Sequence, residues 1–208
     1  MGVRVPPSAP EIFKESLLKK YFFLFIFPFL LFVSLPMIHA QEKQTFLKAF
    51  YPLDEPRFHC IDIPGHKTRV KTERPLVVHT CKEGIWHKDE LFDSRAIEKN
   101  QLRMPEYDLC VQAESNQEGA KLVLKECKKT DLQLWEHKNY RLVLKQHPEK
   151  CITIRPEASR LTRGGRRLPS KHMARSLSLE NCSEEIFHRQ MWRFEEPQNR
   201  TGPVMPFK

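Results

Sequence analysis

Short segments in which apolar and polar residues alternate recur along most of the chain. Three of these alternating segments end in a cysteine, and they span residues 75–81, 121–127 and 175–182. Alternation with a period of two is typical of β-strands that bury one face, and no stretch after residue 41 keeps the period of an amphipathic helix. The pattern therefore predicts an all-β fold of short strands.

The cysteines divide these strands into three similar units. In each unit the first cysteine opens a strand-like segment and the second closes another, which gives the pairs Cys60 and Cys81, Cys110 and Cys127, and Cys151 and Cys182. A turn and an aromatic-bearing strand follow the second cysteine in each case: Asp89-Glu90-Leu91-Phe92, Gln133-Leu134-Trp135 and Gln190-Met191-Trp192. The units are therefore an internal repeat.

The repeat selects one disulfide pairing among the many that six cysteines permit. Pairing the two cysteines inside each unit lets every bond join equivalent strands. A unit of about four short strands cannot bury its apolar face alone, so we expect the three units to share one core around a threefold axis.

This arrangement resembles the ricin B-type (R-type) lectin domain, a β-trefoil with three Q-x-W repeats. Two of the aromatic segments match that motif and the Asp89-Glu90-Leu91-Phe92 segment is a softened copy. The resemblance covers roughly residues 47–196 and implies a β-trefoil that binds carbohydrate of galactose type without catalysis. We interpret Phe92, Trp135 and Trp192 as wedges in the core rather than ligand contacts.

In this family each repeat can bind one saccharide. An aspartate lies two residues after the first cysteine, an aromatic ring two residues before the second, and an asparagine just before the Q-x-W glutamine. The first repeat has Asp62, His79 and Asp89 at these positions. A carboxylate beside a ring suits a sugar, which offers hydroxyl groups and an apolar C–H face. The resemblance thus implies a partial carbohydrate site of Asp62, His79 and Asp89, walled by Trp86.

The same four residues have a second interpretation, in which they form a salt-bridged turn with a surface histidine and an exposed or partly buried tryptophan. The other two repeats hold no stacking ring at the corresponding positions. We expect both sites to be lost or redirected, because those positions carry Gln112, Lys125 and Leu132 in the second repeat and Thr153, Glu180 and Arg189 in the third.

The third unit contains a basic insertion at residues 155–175, which supplies most of the chain's net charge of +9. We expect a mobile, solvated loop around Gly164-Gly165. It supports an alternative function, a degenerate trefoil that binds a protein or an anionic polymer such as acidic polysaccharide or lipopolysaccharide; an anionic membrane is a further candidate. A loop that is merely solvated and open to proteases is the third interpretation. The basic residues are Arg155, Arg160, Arg163, Arg166, Arg167, Lys171 and Arg175.

Residues 1–40 are interpreted as a secretory signal peptide. Lys19 and Lys20 precede the apolar residues 21–37, and cleavage is expected after Ala40. The minor alternative is an uncleaved membrane anchor at residues 21–38. Residues 1–10 are a candidate untranslated segment. We therefore expect an exported protein, secreted or periplasmic, with a domain at residues 41–196 and a tail at 197–208.

Composition and motifs exclude several classes of protein. With 208 residues the chain is too short for a multi-domain enzyme, and seven glycines disfavour a glycine-rich phosphate-binding fold. No H-E-x-x-H, C-x-x-C or G-x-S-x-G motif occurs, so we expect no enzyme, no metal and no cofactor. The insertion lacks interleaved aromatic residues, which argues against a specific nucleic-acid partner. We expect a monomer.

Overall fold

The computed structural model describes Gly2 and residues 42–207. The predicted signal peptide, its cleavage site, the anchor alternative and, apart from Gly2, the candidate untranslated segment lie outside the described residues. Residues 42–207 fold into strands and short 3-10 helices, as the alternating pattern predicts. No helix in this part of the chain is long and apolar enough to cross a membrane.

The strands follow the three repeats. The first repeat holds β1 (Gln44–Ala49), β2 (His59–Asp62), β3 (Val77–Thr80) and β4 (Leu91–Asp93). The second holds β5 (Arg103–Met104), β6 (Leu109–Ala113), β7 (Leu122–Glu126) and β8 (Trp135–Lys138). The third holds β9 (Arg141–Leu144), β10 (His147–Ile154), β12 (Met173–Asn181) and β13 (Trp192–Glu195), with β11 (Arg160–Leu161) inside the basic insertion. The 3-10 helices are Lys67–Arg69, Lys88–Glu90, Ala96–Lys99 and Phe187–Arg189.

Equivalent strands pair in equivalent ways. Each repeat contains an antiparallel hairpin that carries its two cysteines, formed by β2 and β3, by β6 and β7, and by β10 and β12. Two pairings join one repeat to the next: β8 pairs with β9, and β13 pairs with β1. Inside their own repeats, β4 pairs with β1 and β5 pairs with β6. The last strand of the third repeat therefore returns to the first strand of the first repeat, as a β-trefoil requires.

One apolar core lies between the repeats. Phe92, Trp135 and Trp192 are fully buried in it, which confirms their prediction as wedges. Both indoles also satisfy their N–H groups: Nε1 of Trp135 donates to the Val111 carbonyl at 2.9 Å, and Nε1 of Trp192 donates to the Ile152 carbonyl at 3.0 Å. These bonds fix each indole against the hairpin of its own repeat.

The disulfide prediction is confirmed. Each bond joins the two cysteines of one repeat: Cys60 to Cys81, Cys110 to Cys127, and Cys151 to Cys182. No cysteine among the described residues is free. By the chain-entropy model each closed loop stabilises the fold by about 3 to 4 kcal/mol.

The basic insertion is more ordered than a loop, although most of residues 156–171 are exposed to solvent, as the sequence predicts. β11 pairs with the start of β12, and β12 continues along β3 of the first repeat, with Ala174 opposite His79. Gly165 and Arg175 are buried, and a Cβ atom on Gly165 would lie 2.1 Å from the His172 carbonyl oxygen. The insertion is therefore a hairpin packed on the first repeat, since strand pairing satisfies the backbone polar groups that solvent would satisfy in a loop.

Candidate functional site

The first repeat brings three of the four predicted site residues together. Asp62 ends β2, His79 lies beside it in β3, and Asp89 lies in the 3-10 helix before β4. A single side chain, Lys82, connects the two aspartates. Trp86 lies in the loop between Lys82 and Asp89, where its ring meets the His66 ring edge-on with centroids 5.2 Å apart.

Lys82 is the residue that sequence reasoning missed at this site. Its Nζ donates to both carboxylate oxygens of Asp62 at 3.0 Å and to Oδ2 of Asp89 at 2.6 Å. All three side chains are buried. The carboxylates predicted to accept sugar hydroxyls are thus held by the chain's own ammonium group, which agrees with the salt-bridged turn of the second interpretation.

A glutamate replaces the Q-x-W glutamine in this repeat. In the other two repeats the glutamine Oε1 accepts the backbone N–H that follows the second cysteine, from Lys128 at 2.6 Å and Ser183 at 2.9 Å. Glu90 keeps that bond by accepting from the Lys82 N–H at 2.8 Å. In all three repeats, the side chain at the Q-x-W glutamine position therefore forms a hydrogen bond to the loop that follows the hairpin.

Glu90 lacks the side-chain N–H group that the glutamines of the other two repeats donate. The Nε2 groups of Gln133 and Gln190 donate to the backbone carbonyls of Glu126 and Asn181, just before the second cysteine. A glutamate side chain has no N–H group, so Glu90 cannot make the bond that these amides make. In the first repeat Nδ1 of His79 donates to the corresponding carbonyl, that of Thr80, at 2.7 Å.

The cluster concentrates negative charge in a buried place. One ligand atom from each of Asp62, His79 and Glu90 lies within 4.8 Å of the other two, a geometry in which a metal ion could bind. Lys82 supplies positive charge at this position, 3.0 Å from Asp62 and 3.8 Å from Glu90. Oδ1 of Asp89 and Oε1 of Glu90 accept no hydrogen bond from the described residues.

Burial shifts the titration of these groups. Burial raises the pKa of Asp62 to about 8, and the charges of Asp89 and Glu90 add to that increase while Lys82 opposes it. Burial also raises the pKa of Glu90 well above its ordinary range. Burial lowers the pKa of His79, so its imidazole is neutral at pH 7. Burial is the main cause of the raised carboxyl pKa values, and repulsion among three acidic groups that share one ammonium group adds to it.

Two distant segments cover this cluster. From the insertion, the His172 ring meets the His79 ring edge-on at 5.2 Å. From the C-terminal tail, the Gln198 N–H donates to Glu83 at 2.8 Å and the Gly202 N–H donates to the Gly84 carbonyl at 3.0 Å. Segments from the insertion and from the tail therefore contact the first repeat beside the candidate site, and the sequence carries no local signal for these contacts.

Residues at the corresponding positions of the other repeats have structural partners. In the second repeat, Oε1 of Gln112 accepts from the Gln133 amide at 3.0 Å. In the third, Oγ1 of Thr153 accepts from the Gln190 amide at 3.0 Å, and Arg189 donates to the Ile154 carbonyl at 2.9 Å. Glu180 pairs with Arg155 at 2.9 Å. These contacts fit the expectation that both positions have lost or changed their role.

The basic residues of the insertion fall into two groups. Arg155 and Arg175 pair with Glu180 and Asp54 at 2.9 and 3.2 Å. The remaining five are exposed and form no ion pair with any described carboxylate: Arg160, Arg163, Arg166, Arg167 and Lys171. The unpaired positive charge therefore lies at the end of the hairpin distant from the core.

Comparisons with known proteins agree with this architecture. The crystal structure of the earthworm R-type lectin C-half, in complex with GalNAc, superposes with a TM-score of 0.52 at 12% identity, covering 74% of this chain and 98% of that one. An agglutinin from Abrus precatorius superposes with a TM-score of 0.51 at 13% identity, covering 81% of this chain and 53% of that one. At these identities the likeness shows the fold alone.

No curated protein matches the sequence. The profile of the ricin-type beta-trefoil lectin domain matches residues 54–164, which is more than half of the chain and includes the first two disulfide bonds. The three repeats, their disulfide bonds and their buried aromatic wedges agree with that match. The chain therefore belongs to the ricin-type β-trefoil lectin domain family.

Proposed function

We propose that this protein is an exported, non-catalytic carbohydrate-binding module that binds a galactose-type sugar shallowly at its first repeat. One observation carries the proposal: among the three repeats, the first alone combines carboxylates with aromatic rings at the family's sugar-binding positions. The site consists of Asp62, His79 and Asp89, with Trp86 on its wall.

The half-buried Trp86 ring would stack on the apolar face of a sugar, and the His79 side chain, which is 12% exposed, is the second ring of the site. Oδ1 of Asp89 has no partner among the described residues, so a sugar hydroxyl that donates to it would satisfy a buried acceptor. Asp62 and Asp89 are shielded from solvent. Sugar binding at this site therefore requires the loop that carries Trp86 to move outward.

The test is a glycan array and calorimetry with galactose and N-acetylgalactosamine on residues 41–208, at low and moderate salt. Binding should persist at moderate salt, because neutral sugars carry no charge to screen. Trp86→Ala should weaken it at least about tenfold, the equivalent of roughly 1.4 kcal/mol. The matched control is Tyr140→Ala, which removes an exposed ring from the turn between the second and third repeats. This variant should bind sugar as the parent does. Equal affinity of Trp86→Ala and the parent would refute the site.

A second candidate is binding of a protein or an anionic polymer through the insertion. The observation that favours it is the set of five exposed basic residues without a carboxylate partner among the described residues. Such binding should fall steeply as salt rises. A variant with Arg163→Gln, Arg166→Gln and Arg167→Gln should lose affinity for a sulfated polysaccharide, whereas Trp86→Ala should not.

Export is supported by the three disulfide bonds, which persist in oxidising compartments. We propose cleavage after Ala40, which yields a monomeric mature protein with the trefoil at residues 41–196 and a tail at 197–208. N-terminal sequencing and sedimentation of the mature protein test these statements. A protein that retains residues 21–38 would instead support the anchor.

A further inference from the structure

Exposed apolar side chains gather beside the basic hairpin. Six large hydrophobic side chains are exposed among the described residues, and four of them lie in the hairpin or in the tail next to it. Their exposed fractions are 37% for Leu161, 56% for Leu168, 48% for Met205 and 78% for Phe207. Exposed apolar groups in a cluster indicate an interaction surface, whereas scattered ones do not.

Hairpin and tail form one surface because a buried arginine holds them together. Nη1 of Arg57 donates to the Ser170 carbonyl at 2.5 Å and to the Val204 carbonyl at 3.1 Å, and Nη2 donates to the Lys171 carbonyl at 3.2 Å. A shallow cavity of about 410 Å³ lies between them. Its walls include Leu161, Lys171, Met173, Pro206 and Phe207.

The acidic groups near this surface are already neutralised. Asp54 pairs with Arg175 at 3.2 Å and accepts from Ser159 through both oxygens. Glu55 is buried and pairs with Arg57 at 2.7 Å. The positive charges of the exposed arginines and of Lys171 are thus not offset by these two carboxylates.

The turn of the hairpin is compact, which keeps the charges close together. The Thr162 N–H donates to the His172 carbonyl at 3.0 Å, and the Leu168 N–H donates to the Gly164 carbonyl at 2.8 Å. Three arginines and Leu168 therefore project from one folded-back turn. Charge and apolar surface occur side by side at the same end of the molecule.

We propose that this surface, residues 160–171 together with residues 204–207, docks on an anionic lipid bilayer. The proposal builds on the insertion-driven binding described above and specifies a lipid surface as the partner. Cations alone would suit any polyanion. An anionic bilayer matches both features, because its headgroups attract the arginines while its interface accepts Leu168 and Phe207. A soluble polysaccharide would leave those two side chains in water.

The experiment is co-sedimentation of residues 41–208 with vesicles of phosphatidylcholine alone or of phosphatidylcholine and phosphatidylglycerol in equal parts. We expect binding only to the anionic vesicles. The variant with Arg163→Gln, Arg166→Gln and Arg167→Gln should bind at least about tenfold more weakly. The variant with Leu168→Ser and Phe207→Ser should also weaken at least about tenfold.

Two controls separate this proposal from the others. The Leu168→Ser and Phe207→Ser variant should keep its affinity for a sulfated polysaccharide, and Tyr140→Ser, an exposed apolar change elsewhere, should keep its affinity for vesicles. Trp86→Ala, which tests the sugar site, should bind vesicles as the parent does. The proposal is overturned if the parent ignores anionic vesicles, or if removing Leu168 and Phe207 changes nothing while the charge variant loses binding. The second outcome leaves a surface for anionic polymers only.

Discussion

At the scale of single residues, one substitution separates the first repeat from the other two. Glu90 stands where they have glutamine, and Lys82 lies among Glu90, Asp62 and Asp89. One ammonium group cannot balance three carboxylates, so the cluster holds a proton that the unfolded chain would release. The stability of the fold should therefore depend on pH through this cluster.

The pKa of Asp62 rises from 3.8 to about 8 on folding. A raised pKa contributes stability that is present at low pH and is lost as pH rises through the folded value. His59 and His172, whose pKa values burial lowers to about 4, and His66 and His79, whose pKa values burial also lowers, reduce stability once the unfolded imidazoles bind protons, which begins below a pH of about 7.5. Between pH 7.5 and 9, above the range in which the unfolded imidazoles bind protons, we expect the free energy of unfolding to fall by roughly 0.5 to 1 kcal/mol, since one pKa unit corresponds to about 1.4 kcal/mol.

Chemical denaturation across that pH range measures the effect. Asp62→Asn retains a group that accepts from Lys82 but cannot titrate, so its stability should change much less over the same interval. A parent protein whose stability is constant or rises from pH 7.5 to 9 would show that the cluster binds no extra proton.

At the scale of elements, the insertion shows how a polar, glycine-containing segment becomes ordered. β11 and β12 pair with each other, and β12 pairs with β3, so the insertion adds strands to the first repeat. The turn between them passes close to its own backbone at Gly165. Glycine is needed there because no side chain fits, not because the turn is loose.

The adjacent glycines provide a matched pair of substitutions. In Gly165→Ala the new Cβ would lie 2.1 Å from the His172 carbonyl oxygen, whereas in Gly164→Ala the nearest atom is Thr162 Oγ1 at 3.8 Å. We expect Gly165→Ala to destabilise the protein by about 1 to 3 kcal/mol and Gly164→Ala to change it little. Thermal unfolding gives the first measurement.

Trypsin provides a second measurement on the same pair. Opening of the turn should speed cleavage after Arg163, Arg166 or Arg167 in Gly165→Ala, while Gly164→Ala is cut at the parent rate. Fast cleavage of the parent, at the rate of Gly165→Ala, would mean that the turn is mobile in the parent, as the sequence alone predicts.

At the scale of the whole molecule, the C-terminal tail and the insertion pack against the first repeat. The tail reaches the loop after Cys81 through Glu83 and Gly84, and reaches the insertion through Arg57. A Cβ atom on Gly84 would lie 2.0 Å from the Gly202 carbonyl oxygen, so the tail and this loop are in direct contact. The enclosure of the candidate sugar site therefore depends on residues outside the trefoil repeats.

Removal of residues 197–208 tests that dependence. The truncated protein should remain folded, because the core and all three disulfide bonds lie before residue 197. Amides in residues 82–86 should exchange with deuterium faster, because the loop loses the tail N–H groups that donate to the Glu83 side chain and to the Gly84 carbonyl and so opens more often, while those of β9 and β10 should not change. Unchanged exchange in residues 82–86 would show that the tail does not hold the loop.

Local patterns by themselves determined the repeat, the disulfide pairing and the core. Alternation predicts strands because side chains point to opposite faces of a strand, and the cysteines and aromatic residues mark equivalent places in each repeat. Trp135, for example, is buried in the structure as its motif predicts. These features depend on neighbouring residues, so sequence reasoning can reach them.

Tertiary structure alone decided which charged side chains meet in the first repeat and which distant segments pack against it. Lys82 lies next to Cys81, yet its carboxylate partner Asp62 is 20 residues away, and Arg57 meets Val204 across 147 residues. No local pattern encodes which ammonium group will meet which carboxylate, because that choice depends on how distant strands pack and on which charges burial forces together. The sequence therefore located the candidate site. Packing determined that Lys82 lies in it, how its charges balance, and which distant segments contact it.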